Sequence, residues 1–207
     1  MQKRHPLCFQ LDRPYRLGGR LSRMTKASVS LTAPANNSVM PAPASITLNA
    51  NAAADVGRSI TQVEFFQNNQ RIATATTAPY TYQWSNIPAG TYTITAKATD
   101  DLGATTTSAP VSVTVNAAPT INITAPTNNA SYTAPASVTI TANAADNDGT
   151  ITQVDFYNGT TLVNTDTTPP YHYELTGLAV GSYTLTAVAT DNSNATTTSA
   201  ALNIRDA

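Results

Sequence analysis

The chain contains GTYTITAKATD at residues 90–100 and a near copy, GSYTLTAVATD, at residues 181–191. In both stretches the residues Tyr, Ile or Leu, Ala and Ala follow one another at every second position, and the positions between them are mostly Thr or Ser. This period of two is typical of a β-strand with one buried face and one face in water. The two stretches therefore predict two long, equivalent strands, each belonging to a sheet that covers a core.

The similarity between the two halves extends on both sides of these strands. TAPANNSVMPAP (32–43) returns as TAPTNNASYTAP (124–135), and ITQVEFFQ (60–67) returns as ITQVDFYN (151–158). A period of about 90 residues exceeds that of solenoid repeats and matches a complete small domain. We therefore predict four segments: a leader at 1–27, module 1 at 28–116, a linker at 117–119 and module 2 at 120–207.

The same alternation occurs about seven times in each copy, and turn-forming Asn, Asp, Gly and Pro separate the strands. Tyr92 and Tyr183 each lie two residues after a turn Gly and two before an inward aliphatic residue, which is the spacing of a tyrosine corner. The fold class that follows is all-β, with two tandem immunoglobulin-like β-sandwich domains. We expect the inward-facing Phe65, Phe156 and Trp84 to lie in the cores.

Charge is distributed unevenly along the chain. Residues 1–26 hold seven of the eleven Lys and Arg, and the rest of the chain holds four bases against eleven acids. The modules therefore offer no basic surface for nucleic acid. The leader is predicted to be disordered, and it lacks the apolar core of a recognisable secretory signal peptide. No apolar run is long enough for membrane insertion, and the single cysteine, Cys8, leaves the modules without a disulfide.

Three motifs of the second copy carry a family resemblance: DNDGTITQVDFY (146–157), PPY (169–171) and the strand at 181–191. Together with their counterparts in the first copy, they resemble the bacterial immunoglobulin-like (Big) family over residues 28–206. The resemblance implies an extracellular or cell-surface location. It also implies a non-catalytic spacer or accessory role beside a catalytic or adhesive domain of a larger secreted or surface protein, which would be the partner.

Acidic residues near two turns of module 2 suggest a calcium site. Asp146 and Asp148 precede a Gly, and Asp191 ends a later strand. Calcium takes six to eight oxygen ligands, and two such loops could converge at one end of a sandwich. The alternative is that these side chains form ordinary Asx turns and that the protein has no cofactor.

No arrangement of residues indicates an enzyme. The chain has no nucleophile elbow, Cys–His pair or zinc-binding helix motif. His172 occupies an outward strand position, as do Glu64 and Asp155, and we expect all three to be solvent-exposed.

Two aromatic residues are candidates for ligand binding. Phe66 and Tyr157 follow the inward Phe65 and Phe156, so they should face the opposite side of the sheet. Exposed rings can stack on sugars, which makes a polysaccharide a candidate partner. The predicted function is a spacer or accessory pair, and the alternatives are a carbohydrate-binding accessory module and an adhesin-type protein-binding module.

Overall fold

The computed structural model describes residues 27–207, which form two β-sandwiches joined end to end in the chain. The expectations for the leader, including disorder and the position of Cys8, fall outside the described residues. No helix in residues 27–207 is long and apolar enough to cross a membrane. The all-β prediction with two tandem sandwiches is confirmed.

Module 1 contains nine strands arranged in two sheets. The smaller sheet has the order β1-β3-β6, and the larger has the order β2-β9-β7-β4-β5 with β8 paired to β7. All pairs are antiparallel except β2 with β9, which is parallel. The strands are β1 Ser28–Ala33, β2 Ser38–Pro41, β3 Ala44–Ala53, β4 Ile60–Gln67, β5 Gln70–Ala75, β6 Tyr80–Ile87, β7 Gly90–Asp100, β8 Thr105–Thr107 and β9 Val111–Asn116.

Module 2 repeats this topology strand by strand. Its smaller sheet is β10-β12-β15, and its larger sheet is β11-β18-β16-β13-β14 with β17 paired to β16. The parallel pair is β11 with β18. The strands are β10 Thr120–Ala125, β11 Ala130–Tyr132, β12 Ala136–Ala145, β13 Ile151–Asn158, β14 Thr161–Asp166, β15 His172–Leu178, β16 Gly181–Asp191, β17 Thr196–Thr198 and β18 Leu202–Asp206.

The strand pattern in the sequence accounts for seven strands of each module, and the structure adds two short ones. These are β2 and β8 in module 1, with β11 and β17 as their counterparts. The added strands are three or four residues long, too short to show an alternation. They form because a neighbouring long strand offers free backbone groups for pairing.

Each module closes its own core between the inner faces of its two sheets. Phe65 and Phe156 occupy equivalent positions and are the largest fully buried side chains in their respective cores. Leu48 and Ile140 cover them from the smaller sheets and are also fully buried. No disulfide is involved in the described residues, so apolar burial is the main source of stability.

A tyrosine corner closes the start of the long strand in both modules. Tyr92 donates its hydroxyl hydrogen to the Pro88 carbonyl over 2.9 Å, and Tyr183 donates to the Ala179 carbonyl over 2.7 Å. Gly90 has a φ of +150°, and a Cβ at that position would lie 3.4 Å from the Tyr92 hydroxyl. A contact at that distance is tolerable, so glycine is favoured here by the backbone conformation.

Candidate functional site

The most extensive polar arrangement lies where the linker enters module 2. Asn116, the last residue of β9, donates from Nδ2 to Asp191 Oδ2 over 2.7 Å. The next residue, Ala117, donates its N–H to Asp148 Oδ2 over 3.0 Å. The last residue of module 1 and the first residue of the linker are thus bonded to carboxylates on two separate loops of module 2. We call this set of contacts the junction.

Asp191 is the central acceptor of the junction. Its side chain has no exposed surface, and its Oδ1 accepts the N–H groups of Ser193 and Ala195 over 2.8 Å each. The other oxygen accepts Asn116. A buried carboxylate needs such donors to offset the loss of water. Asp191 therefore orders its own loop and the linker at the same time.

Asp146 lies beside these groups with less compensation. Its Oδ1 accepts the Asp148 N–H over 3.3 Å, whereas its buried Oδ2 has no hydrogen-bond partner among the described residues. Burial raises the pKa of Asp146, and the negative charges of Asp148 and Asp191 raise it further. The hydrogen bond from the Asp148 N–H lowers the pKa, but the net direction is up. A Cβ at Gly149 would collide with Asn192 Oδ1 and with Asp146 Oδ2, so a larger residue there would displace these two side chains.

The structure brings the three acids of the calcium hypothesis to one end of module 2. Asp148 and Asp191 accept hydrogen bonds from the linker there, and Asp191 also forms the bonds of an Asx turn. No group of three or more His, Cys, Asp or Glu side chains within residues 27–207 has a metal-holding arrangement. Calcium binding at Asp146, Asp148 and Asp191 stays a prediction.

At the equivalent end of module 1, an arginine of the same module neutralises the acids. Arg58 forms ion pairs with Asp100, at 2.9 Å, and with Asp101. Asp100 Oδ1 also accepts the N–H groups of Leu102 and Ala104. Arg58 occupies the position of Gly149. The two modules therefore satisfy the corresponding acids Asp100 and Asp191 in different ways: Asp100 pairs with an arginine, and Asp191 accepts the side-chain amide of Asn116.

Glu64 is buried, and the expectation of a solvent-exposed side chain is wrong for it. Its side chain is 7% exposed, with Oε1 2.7 Å from Arg71 and Oε2 3.5 Å from Lys97. The hydrogen bond from Arg71 and the charge of Lys97 lower the pKa of Glu64, although burial opposes them. The position does face outward, but two long side chains from neighbouring strands cover it.

Asp155, the counterpart of Glu64, is half-buried and not solvent-exposed as expected, and its partners are neutral. It accepts hydrogen bonds from Gln153 Nε2 at 2.9 Å and from the Thr165 hydroxyl. His172 is exposed as expected, and its backbone N–H donates to Asp166 Oδ2 over 3.0 Å. Burial raises the pKa of Asp166, but the N–H groups of Thr168 and His172 lower it more, so the net direction is down.

The two candidate ligand-binding aromatics lie in different modules. Phe66 and Tyr157 are both half-buried on the outer faces of the larger sheets, and the structure does not bring them together. Phe66 lines a shallow hollow with Asn69, Thr95, Lys97 and Thr107.

Trp84 packs against the core of module 1 while remaining partly exposed. Its ring lies edge-on to that of Tyr92, with centroids 5.2 Å apart and planes at 82°. Such T-shaped pairs are favoured by the quadrupoles of the two rings. Trp84 is therefore placed as part of the module's structure, against the inner side of the tyrosine corner.

Sequence reasoning missed Asn116 and Lys97. Asn116 ends a strand of inward valines, and a polar residue there, directly before a short linker, was the available signal. Lys97 pairs across the strands with Glu64, and the two opposite charges on adjacent strands could have indicated their contact.

The chain is similar to a known domain family and to several solved structures. The family model for bacterial Ig domains matches residues 28–96 and 119–187. The fibronectin(III)-like modules of Clostridium thermocellum CbhA are 28% identical, with 86% of this chain and 93% of that chain covered and a TM-score of 0.46. Extracellular domains 3–5 of Drosophila OTK are 15% identical, with coverages of 87% and 62% and a TM-score of 0.55. No curated protein sequence matches significantly.

Proposed function

The chain belongs to the bacterial Ig domain family, and from that premise we propose that its two modules form a non-catalytic spacer. In this role the pair lies outside the cell and holds a neighbouring catalytic or adhesive domain at a set distance and angle. The single observation that carries the proposal is the junction, where Asn116 and Ala117 are hydrogen-bonded to Asp191 and Asp148.

A spacer must resist bending between its domains, and the linker has the features for this. Only three residues, 117–119, separate the last strand of module 1 from the first of module 2. Pro119 is buried and has a restricted φ, which removes freedom from the chain. The hydrogen bonds of Asn116 and Ala117 to module 2 restrict the chain further. A linker with so few free dihedrals holds two domains far more stiffly than a Gly/Ser-rich chain does.

Surfaces on both sides of the linker add to this restraint. Residues 39–41 of module 1 and residues 193–195 of module 2 line one small cleft together with Asn116. The loop that Asp191 orders therefore lies against the end of module 1. The contact favours one relative orientation of the modules, which is what a spacer of fixed angle requires.

Residual dipolar couplings of the weakly aligned full chain test the proposal. A rigid pair gives both modules one alignment tensor, whereas independently tumbling modules give tensors of different magnitude. We expect one tensor for the wild type and two when Gly-Ser-Gly-Ser is inserted between Asn116 and Ala117 together with Asn116→Ala, a change that removes both junction hydrogen bonds between the modules. As a control, Asn203→Ala changes an exposed residue of module 2 whose hydrogen bonds stay within that module, and should leave one tensor. Two unequal tensors in the wild type would overturn the spacer proposal.

The adhesin alternative depends on an exposed sheet edge. β5 and β14 each pair with one strand only and are edges of the larger sheets. An edge strand offers free backbone groups to a partner strand. This feature is common to open sandwiches and does not favour adhesion over spacing.

A further inference from the structure

The outer face of the larger sheet of module 1 carries a small depression with an aromatic wall. Phe66, Asn69, Thr95, Lys97 and Thr107 line it, and we call it the Phe66 hollow. Phe66 is half-buried, so part of its ring is open to solvent. The rest of the rim offers an amide, two hydroxyl groups and an ammonium group, which are hydrogen-bonding partners for a polar ligand.

The exposed charge on this face is positive. Glu64 is 7% exposed, whereas its partners Arg71 and Lys97 are 62% and 36% exposed. A ligand therefore meets the two cations and not the carboxylate beneath them. These are two of only four bases outside residues 1–26, against eleven acids. The hollow is thus a place where anions are attracted, although the net negative charge of the two modules repels anions elsewhere.

Lys97 retains hydrogen-bonding capacity for a ligand. Its one ion pair is with Glu64 Oε2, at 3.5 Å. An ammonium group has three donors and a flexible four-carbon stem, so two donors are available for an incoming oxygen. Its cross-strand neighbour Thr107 places a hydroxyl on the same rim.

We propose that the Phe66 hollow binds an acidic sugar unit of a glycan. The apolar face of the sugar ring packs on Phe66, its hydroxyls bond to Asn69 and the two threonines, and its carboxylate pairs with Lys97. Sites for small polar ligands combine such an apolar surface with a few placed polar groups. The proposal goes beyond the spacer role and does not depend on it.

Module 2 supplies a natural comparison for each part of the hollow. Tyr157 replaces Phe66, and Thr186 pairs with it as Thr95 pairs with Phe66. Val188 stands where module 1 has Lys97, and Leu162, 51% exposed, stands where it has Arg71. This face keeps an aromatic ring and loses both cations. We therefore expect acidic sugars to select module 1.

The test is an NMR titration of the full chain with trigalacturonic acid and, separately, with its neutral methyl ester. Amide shifts are expected at Asn69, Thr95, Lys97 and Thr107, and around Tyr157 only at higher ligand concentration. Because an exposed ion pair contributes little, the ester should bind about 5-fold more weakly. Shifts confined to residues 1–26 would overturn the proposal, as would equal affinity for acid and ester or no binding at all.

Three variants separate the site from general charge attraction. Lys97→Val copies Val188 and should abolish the preference for the acid over the ester. Phe66→Ala should lose both ligands, and Arg205→Gln, which removes an exposed charge elsewhere, should behave as the wild type. Trp84 fluorescence verifies that each variant is folded. An effect of Arg205→Gln as large as that of Lys97→Val would overturn the site. The outcome is independent of the dipolar couplings, so this proposal and the spacer can fail separately.

Discussion

Asn116 Nδ2 lies 2.7 Å from Asp191 Oδ2, although the two residues belong to different modules. Asp191 has no exposed surface, and its other oxygen is occupied by donors from its own loop. A buried carboxylate oxygen without a donor is costly. The last residue of module 1 therefore supplies the donor for a buried acceptor of module 2.

We expect Asn116→Ala to destabilise module 2 by about 1–3 kcal/mol, because Asp191 Oδ2 loses its donor. Trp84 is the only tryptophan, so its fluorescence follows module 1 alone, while circular dichroism follows both modules. The midpoint of module 2 should fall more than that of the Trp84 transition. A loss restricted to the Trp84 transition would contradict the dependence of module 2 on the linker.

Asp146→Asn tests the uncompensated acid and the calcium hypothesis together. The pKa of Asp146 is raised in the folded state, so its ionisation costs stability as pH rises above the unfolded value. In EDTA at pH 7 the substitution should therefore raise the midpoint of module 2. A calcium ion bound to the native state by Asp146 would reverse this result in calcium buffer, where the variant would melt below the wild type.

The sequence and the structure agree where a local pattern decides the outcome, and differ where a neighbour does. The spacing around Tyr92 was enough to predict a tyrosine corner, and the structure shows the hydroxyl bonded to the Pro88 carbonyl four residues earlier. The burial of Glu64 depends on Arg71 and Lys97, which come from two other strands. Alternation indicates the direction of a side chain and not what covers it. The role of Asn116 depends on the placement of a second domain, which no single-strand pattern contains.

The two tyrosine corners allow a matched pair of substitutions. Tyr92→Phe and Tyr183→Phe each delete one hydroxyl that bonds to a backbone carbonyl four residues earlier. Each should destabilise its own module by about 1 kcal/mol. Only Tyr92→Phe should shift the unfolding transition seen by Trp84, whose ring it contacts. A shift of that transition by Tyr183→Phe would show that the modules unfold as one unit.

Module 1 should lose stability in acid partly through Glu64. Its pKa is lowered in the folded state by Arg71 and Lys97. The stabilisation is therefore present above the unfolded pKa, about 4.3, and is lost as pH falls through the folded value. Between pH 5 and roughly pH 2–3, the Trp84 midpoint should fall less steeply in Glu64→Gln than in the wild type. If the Trp84 midpoint falls equally steeply with pH in both proteins, Glu64 does not contribute to the loss of stability in acid.

Asp206 offers the largest expected gain in stability. It is fully buried at the position that Val115 occupies in module 1. Its Oδ2 accepts only the Ala136 N–H, over 3.2 Å, and its Oδ1 has no hydrogen-bond partner among the described residues. Asp206→Val should stabilise module 2 by about 1–3 kcal/mol, because an unsatisfied buried polar group is replaced by the side chain that the other copy uses.

The reciprocal substitution is the control. Val115→Asp places a carboxyl group in the core of module 1, where the wild-type residue is fully buried, and should destabilise that module by about 3–5 kcal/mol. Chemical unfolding followed by Trp84 fluorescence and circular dichroism measures both effects. If Asp206→Val instead lowers the stability of module 2, then the Asp206 carboxyl has a partner that outweighs its burial. Positions 206 and 115 would then not be equivalent in what their side chains contribute to the two cores.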